Sequence, residues 1–379
     1  MDFSLNEDQL MMRKMVLDFV EEEVIPQAMI IDKTQEFPLT LIRKMGQLGL
    51  MGISIPEAFG GSGLDFLSYI LAIEEIARGS ATTAIILETH TSIGTLPILY
   101  FGTEEQKRKY LPKLARGEMI GAFALTESNS GSDASSIVTS AERRGDHYIL
   151  NGGKRFITNA GYAGVYTVLA STNRALGNKG ITAFLLDANT SGLSIGKAEE
   201  QMGLHGSSTC ELIFEDVIIP VENRLGEEGQ GFKIAMSLLD GGRIGVGAQA
   251  LGIAQAAFEA ALAYSQERVQ FKKAICNFQG IQFMLADMAT QLEAARFLIY
   301  HAATLQSLGL PYSKEASMAK LFASDAAMKV TTDAVQILGV YGYTREYKVE
   351  RYLRDAKITQ IYEGTNQIQR ILIAKHLRK

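Results

Sequence analysis

His147-Tyr-Ile-Leu-Asn-Gly-Gly-Lys154 breaks the rhythm of the chain: a short run rich in β-branched and aromatic residues with Asn and Gly at its end. Ala122-Phe-Ala-Leu-Thr126, Val165-Tyr-Thr-Val-Leu-Ala170, Ile181-Thr-Ala-Phe-Leu-Leu186 and Glu211-Leu-Ile-Phe214 share its grammar, being short, apolar and bounded by Gly, Asn, Asp or Ser. Together they predict a mostly antiparallel β module. Strands do not alternate with long helices here, which excludes a doubly wound dinucleotide sheet. Ahead of the module, from Leu5 to about Glu118, the pattern is helical, with Leu10, Met11, Met15, Val16, Phe19 and Val20 at three- and four-residue steps. Asp2, Ser4 and Asn6 are candidate caps for the first helix. Breaks are expected at Pro38, at Pro56 to Gly63 and at Gly102-Thr103-Glu104. Behind the module, after Gly226-Glu-Glu-Gly-Gln-Gly231, long helical runs cover Phe232 to Gln270, Phe278 to Leu308, Lys314 to Gly339 and a last stretch beyond Glu363. These suit a four-helix bundle. The expected fold class is α+β, mainly α, in three domains: helical (1–119), central antiparallel β (120–230) and C-terminal four-helix bundle (231–379).

The 379 residues carry a net charge of −5, with 47% hydrophobic and 21% charged residues. No basic stripe supports nucleic-acid binding. The acidic N-terminus does not read as a targeting peptide. The apolar run from Ala81 is interrupted by Glu88 and His90 well short of a membrane span. Cys210 and Cys276, the two cysteines, suggest neither a disulfide framework nor a zinc cluster, so a reducing, cytoplasmic setting is expected, or a mitochondrial matrix for a eukaryotic source.

Among candidate motifs, Gly245-Val-Gly-Ala-Gln-Ala250 has the wording of a phosphate loop but sits in a helical run with no preceding strand. Helix packing by small residues explains it better. The five histidines never pair at metal-ligand spacing, and no Gly-x-Ser-x-Gly elbow occurs, so metal and triad chemistry are unsupported. Ala124-Leu-Thr-Glu-Ser-Asn-Ser-Gly-Ser-Asp133 is a strand entering a turn crowded with hydroxyls and backbone donors. It can surround a flat polar heterocycle or a phosphate, or simply be a solvated loop. In Asn151 to Ala160, strand alternation places Phe156 and Thr158 on one side, an aromatic face beside a hydroxyl. Finally, Ile361-Tyr-Glu-Gly-Thr-Asn-Gln-Ile-Gln-Arg370 sets Glu363 between uncharged neighbours and a flexible Gly-Thr-Asn step. Kept out of water, that carboxylate becomes a better proton acceptor. Taken alone, an exposed glutamate at a helix start is the commoner case.

In combination these segments resemble the acyl-CoA dehydrogenase family over essentially the whole chain. The resemblance rests on Ala124-Leu-Thr-Glu with Ser130-Gly-Ser-Asp133, on Leu150 to Ala160, on Gln336-Ile-Leu-Gly339 with Tyr341-Gly-Tyr343, on Arg354-Asp-Ala-Lys357 and on Ile361-Tyr-Glu-Gly-Thr365. Ser171 to Gly180, Gly206 to Thr209 and Leu239 to Gly245 are most similar to the short-chain, butyryl-CoA branch.

The resemblance implies FAD as cofactor and an α,β-dehydrogenation of short-chain or small branched acyl-CoA to trans-2-enoyl-CoA. It casts Glu363 as base and its backbone N–H as a donor to the thioester carbonyl, with electrons passed to an electron-transfer flavoprotein. It also implies a homotetramer, a dimer of dimers. Phe123, Leu125, Thr126, Phe156, Ile157 and Thr158 would surround the flavin ring. Arg268, Phe271 and Gln279 would hold the nucleotide half, with Gln336 and Gly339 given by a neighbouring subunit. Thr365 and Gln367 would follow the base onto FAD. Ser132 would lie near cofactor and CoA, and Asp240, Arg243 and Gly364 would meet the substrate. Where some members carry the base on the bundle helix, this chain has Gly242. Phe156, Lys272, Ala274 and Val340 depart from the family's usual Trp, Gly, Pro and Gly.

Other readings share parts of this pattern. Glutaryl-CoA dehydrogenase would need a cation for the second carboxylate, and none lies between Arg78 and Lys107. An acyl-CoA oxidase would share every motif named. A non-enzymatic or nucleic-acid-binding flavoprotein homologue would want a basic extension, and the chain ends nine residues after Arg370.

Overall fold

The computed structural model describes residues 5–378. Seven α-helices open the chain: α1 (Glu7–Phe19), α2 (Ile25–Thr34), α3 (Leu39–Gln47), α4 (Phe66–Gly79), α5 (Ala81–Thr89), α6 (Leu96–Phe101) and α7 (Glu104–Ala115). Their starts follow capping chemistry. Asn6 accepts from the Gln9 amide at 2.8 Å while the Gln9 side chain accepts from the Asn6 amide at 3.0 Å. This reciprocal pair satisfies two otherwise orphaned donors of α1; the other candidate caps, Asp2 and Ser4, lie outside the described residues. Thr103 and Gln106 repeat the device at α7, after the expected break. α4 is buried on nearly every side, as a helix apolar all round must be.

Eight strands follow: β1 (Gly121–Ala124), β2 (Ser140–Arg144), β3 (His147–Thr158), β4 (Val165–Ser171), β5 (Ile181–Asp187), β6 (Leu193–Ala198), β7 (Thr209–Pro220) and β8 (Arg224–Leu225). They form one sheet in the order β6-β7-β3-β2-β4-β5-β8, with β1 added on β4. Pairing is antiparallel except for β1 with β4 and a single β2–β4 contact, so the sheet is mixed but mostly antiparallel. β1 is anchored to the helices by His90, which donates from Nε2 to the Met51 carbonyl at 3.1 Å and accepts at Nδ1 from the Gly121 amide at 3.1 Å. Burial holds this ring neutral, with its pKa pulled to about 4.

The chain closes with α8 (Gly231–Glu267), α9 (Gln279–Ser307), α10 (Ser313–Leu338), α11 (Val349–Ile358) and α12 (Asn366–Leu377). α8, α9, α10 and α12 match the runs expected from periodicity. α11 is an addition: its buried Val349, Tyr352 and Ala356 are diluted by five charged residues in ten. Its Arg354 clamps Asp32 on α2 at 2.8 Å, and its Asp355 accepts from the Leu204 amide at 2.7 Å, so the Arg354 to Lys357 motif is a structural tie. α8 is apolar and long enough to span a membrane, but 67% of its most apolar window is buried inside the protein, as in a core helix.

The N-terminal and C-terminal helices share one hydrophobic core, in which Tyr69, Ile73 and Ile76 of α4 meet Ile244, Leu251 and Ile253 of α8. Small residues make this possible. A Cβ on Gly252 would lie 2.2 Å from the Glu74 carbonyl oxygen and 2.7 Å from the Ala77 Cβ. Gly245 and Gly247 lie inside the same helix, so the phosphate-loop wording of 245–250 is packing. Gly252→Ala is therefore expected to cost about 3 kcal/mol by overpacking, read as a lower midpoint in urea; an unchanged midpoint would mean that α4 and α8 separate freely.

Candidate active site

The turn between α11 and α12 reverses the chain through two consecutive left-handed residues, Glu363 (φ 54°) and Gly364 (φ 86°). For a glutamate that conformation costs on the order of 1–2 kcal/mol, so the surroundings must hold it. Gln369 Nε2 donates to the carbonyls of Glu363 (3.2 Å) and Gly364 (2.8 Å). Lys320 Nζ donates to the Gly364 carbonyl and to Asn366 Oδ1, both at 2.9 Å. Thr365 caps α12 on the Ile368 amide, and the Tyr362 hydroxyl donates to Gln249 on α8.

So held, the Glu363 carboxyl lies against the backbone of α8 at Gly242, where a Cβ would sit 3.2 Å from its Cδ and Oε2. The missing side chain at 242 is the room that the carboxylate occupies. Glu363 is half-buried as a residue, but Oε2 has essentially no solvent access and no hydrogen-bond partner. Burial lifts its pKa to about 7, while the charges of Arg243 and Lys320 restrain the rise. Arg243 is itself buried and paired with Asp240, which also accepts from Ser313 Oγ at 3.0 Å. Burial pulls Lys320 down to about 7, opposed by Glu363. The exposed-glutamate alternative is thus overturned, because the turn geometry aims Glu363 inward.

On the sheet, the Arg155 amide donates to the Thr126 carbonyl at 2.9 Å, bringing Thr126 beside Phe156. Below them Lys154 is fully buried. Its Nζ donates to the Leu125 carbonyl (2.9 Å) and to Glu127 Oε1 (2.6 Å), and the Glu127 carboxylate accepts from the amides of Val138 (2.6 Å) and Thr139 (3.1 Å). One ion pair therefore ties the start of the Thr126 to Asp133 turn to Val138 and Thr139 beyond it. β3 bulges against β7 between Lys154 and Ile157, and Phe156 takes φ 57°. The alternation expected for Phe156 and Thr158 survives the bulge, with Ile157 between them on the buried side. Phe156 is turned out and 61% exposed, Ile157 is buried and Thr158 is half-buried. Phe123 and Leu125 are buried beneath, and Ser132 is exposed on the loop.

The remaining expected residues are not gathered here. Arg268, Phe271, Gln279, Gln336, Gly339 and Gln367 are exposed. Arg268 follows Arg243 by 25 positions, about 37 Å along a helix at ~1.5 Å per residue. Its guanidinium covers the Tyr341 ring at 5.6 Å. Phe271 (φ 49°) and Lys272 (φ 65°) make the left-handed turn between Val269–Gln270 and Lys273–Ala274 without glycine.

An outward aromatic ring, flanked by the Thr126 and Thr158 hydroxyls and the backbone polar groups of a bulged strand, fits a flat heteroaromatic ring with a polar edge. The residues present are therefore compatible with FAD. Lys320, Gln249, Lys154 and Glu127 escape the sequence reading. Glu127 and Lys154 stand in quoted motifs without a role of their own, and Lys320 is a cation on the otherwise small, buried stripe Ala316, Ala319, Ala323 and Ala327 of α10.

Three family models match the chain: the acyl-CoA dehydrogenase N-terminal domain over residues 6–118, the middle domain over 122–217 and the C-terminal domain over 229–378. An acyl-CoA dehydrogenase of Bacillus subtilis is 58% identical over 373 residues, 98% of each chain. The structure of butyryl-CoA dehydrogenase from Megasphaera elsdenii superposes with a TM-score of 0.98 at 51% identity, covering 100% of both chains. A structure reported with the electron transferring flavoprotein of Acidaminococcus fermentans and flavin-based electron bifurcation gives 0.98 at 56% identity, covering 100% of this chain and 99% of that one. With its helical, mixed-sheet and bundle segments all matched in order, the chain belongs to the acyl-CoA dehydrogenase family, whose members are FAD-dependent oxidoreductases.

Proposed function

We propose that the protein oxidises a short-chain acyl-CoA to its trans-2-enoyl-CoA, with Glu363 as the base. The carrying observation is the buried Glu363 Oε2, packed against the side-chain-free Gly242 and left without a protein donor. With a pKa of about 7, Glu363 is a carboxylate in a useful fraction of molecules at neutral pH and a stronger base than a solvated one. Its role is to take the α-proton onto Oε2. Arg243 and Lys320 keep enough positive charge nearby for the carboxylate to form. The Glu363 N–H is a donor for the thioester carbonyl, where negative charge grows as the proton leaves. Phe123, Leu125, Thr126, Phe156, Ile157 and Thr158 would hold the flavin ring, with Thr365 and Gln367 beyond the base; Ser132, Asp240 and Gly364 would line the thioester. FAD, when bound, supplies the acceptor for the hydride leaving the β-carbon.

Arg268, Phe271, Gln279, Gln336 and Gly339 are assigned to the nucleotide half of FAD across a subunit contact of a homotetramer, a reading their exposure supports. The three segments 1–119, 120–230 and 231–379 would contribute the acyl pocket, the flavin and thioester contacts, and the base with the oligomer contacts. An electron-transfer flavoprotein is the electron acceptor, as the likeness to the Acidaminococcus fermentans structure supports. Free Cys210 and Cys276 suit a reducing aqueous compartment.

The test is anaerobic mixing of the yellow protein with acyl-CoAs while flavin bleaching is followed. C4 to C5 thioesters should bleach it fastest; absence of bleaching by any acyl-CoA would refute the reading. The bleaching rate should rise with pH through about 7, because Glu363 must lose its proton first. Lys320→Met should move that midpoint upward, since a cation that restrains the pKa is gone; a downward shift would contradict the assignment.

A further inference from the structure

A second carboxyl faces the same glycine-lined face of α8 as Glu363. Glu88, in the last turn of α5, is completely buried. Its Oε1 accepts from Ser92 Oγ at 2.8 Å, and its Oε2 has no partner. A Cβ on Gly245 would lie 2.8 Å from Glu88 Oε1 and 2.9 Å from its Cγ, just as one on Gly242 would meet the Glu363 carboxyl. Positions three apart on a helix hold their Cβ atoms about 5–6 Å from one another. The two carboxyls therefore flank one short glycine-lined stretch.

Of the nearby cations, Arg243 pairs with Asp240 but keeps a buried, unpartnered Nε, and Lys320 donates to Gly364 and Asn366. Burial and then the charge of Glu363 push Glu88 well above the ordinary carboxylate range, which favours its neutral form. A neutral carboxyl has one O–H to donate and a carbonyl oxygen to accept. Leaving it orphaned against hydrocarbon is costly, and the cost is recovered only if the occupant brings a partner. A purely hydrocarbon pocket would have no use for it.

Resting on the acyl-CoA reading above, we propose that Glu88 is a specificity-determining residue. Its carboxyl hydrogen-bonds an oxygen carried by the short acyl chain beyond the β-carbon, so the preferred thioester carries a neutral hydroxyl or carbonyl there. Anionic chain ends are disfavoured, as the Glu363 carboxylate lies close.

The probes are pentanoyl-CoA and 5-hydroxypentanoyl-CoA, compared by kcat/KM for flavin reduction in the same holoenzyme preparation, so that folding and flavin content cancel in the ratio. The wild type should favour the hydroxylated thioester by about 10-fold or more, within the range open to a site with one paired polar group. Glu88→Leu should reverse the preference, and Glu88→Gln, which still donates, should retain it. The acid limb of the pH profile, set by Glu363, should stay in place. Equal ratios in wild type and Glu88→Leu overturn the proposal, as does a wild type that favours pentanoyl-CoA should the Leu variant not fold. If neither thioester bleaches the flavin, the dehydrogenase reading fails instead.

Discussion

Glu363→Gln is expected to yield a folded, yellow protein that still binds acyl-CoA but reduces its flavin about 1,000-fold or more slowly, the range for removing a positioned general base. The substitution is nearly isosteric, so the space at Gly242 and the left-handed turn are kept. Gln369 and Lys320 hold backbone carbonyls of this turn, not the carboxylate, and remain engaged. Glu88, though near, favours its neutral form and is bonded to Ser92, so it cannot take over as base. Stopped-flow bleaching with butyryl-CoA checks this, with equilibrium binding as the control. A rate within tenfold of wild type would place the base elsewhere.

Lys154→Met is expected to be the most damaging change to stability on the sheet side. Both members of the Lys154–Glu127 pair are buried, with side-chain exposures of 0% and 5%. Burial pulls Lys154 down to about 8, still charged at pH 7. Burial alone would push Glu127 up, yet Lys154 and the two amides bring it below its ordinary range. Removing one partner of such a pair strands the other charge, at about 3–5 kcal/mol. For a chain of this size that lowers the melting temperature by roughly 5 °C. Because Glu127 also ties Val138 and Thr139, the Thr126 to Asp133 turn should loosen and FAD be lost more readily on dilution. The Lys154→Met/Glu127→Gln double variant should recover part of the loss, since no charge is then stranded. A single variant that melts with the wild type would remove the pair from the account of this turn.

Sequence periodicity sufficed where a segment's own composition sets its structure. The strands around His147, the caps at Asn6 and Thr103 and the runs of α8, α9, α10 and α12 are all local in origin, arising from side-chain alternation, helical spacing and turn chemistry. α11 was missed because its apolar stripe is three residues wide among charges. The left-handed backbone at Phe156 was not legible because a bulge depends on the partner strand, which lies more than 50 residues away in sequence.

What the sequence determined alone was the order of helices, sheet and bundle, and, through wording spread over the whole chain, the family and Glu363 as the candidate base. Whether that glutamate is a base in physical terms was decided only in three dimensions. Its raised pKa needs burial against Gly242 of α8, tempered by Arg243 and Lys320, and a turn that Lys320 of α10 and Gln369 of α12 hold in the left-handed region. The pairing of Lys154 with Glu127 and the placing of Glu88 beside the base belong to the same class. Each brings charged or polar groups from distant segments into one low-dielectric space, and a linear spacing carries no record of that encounter.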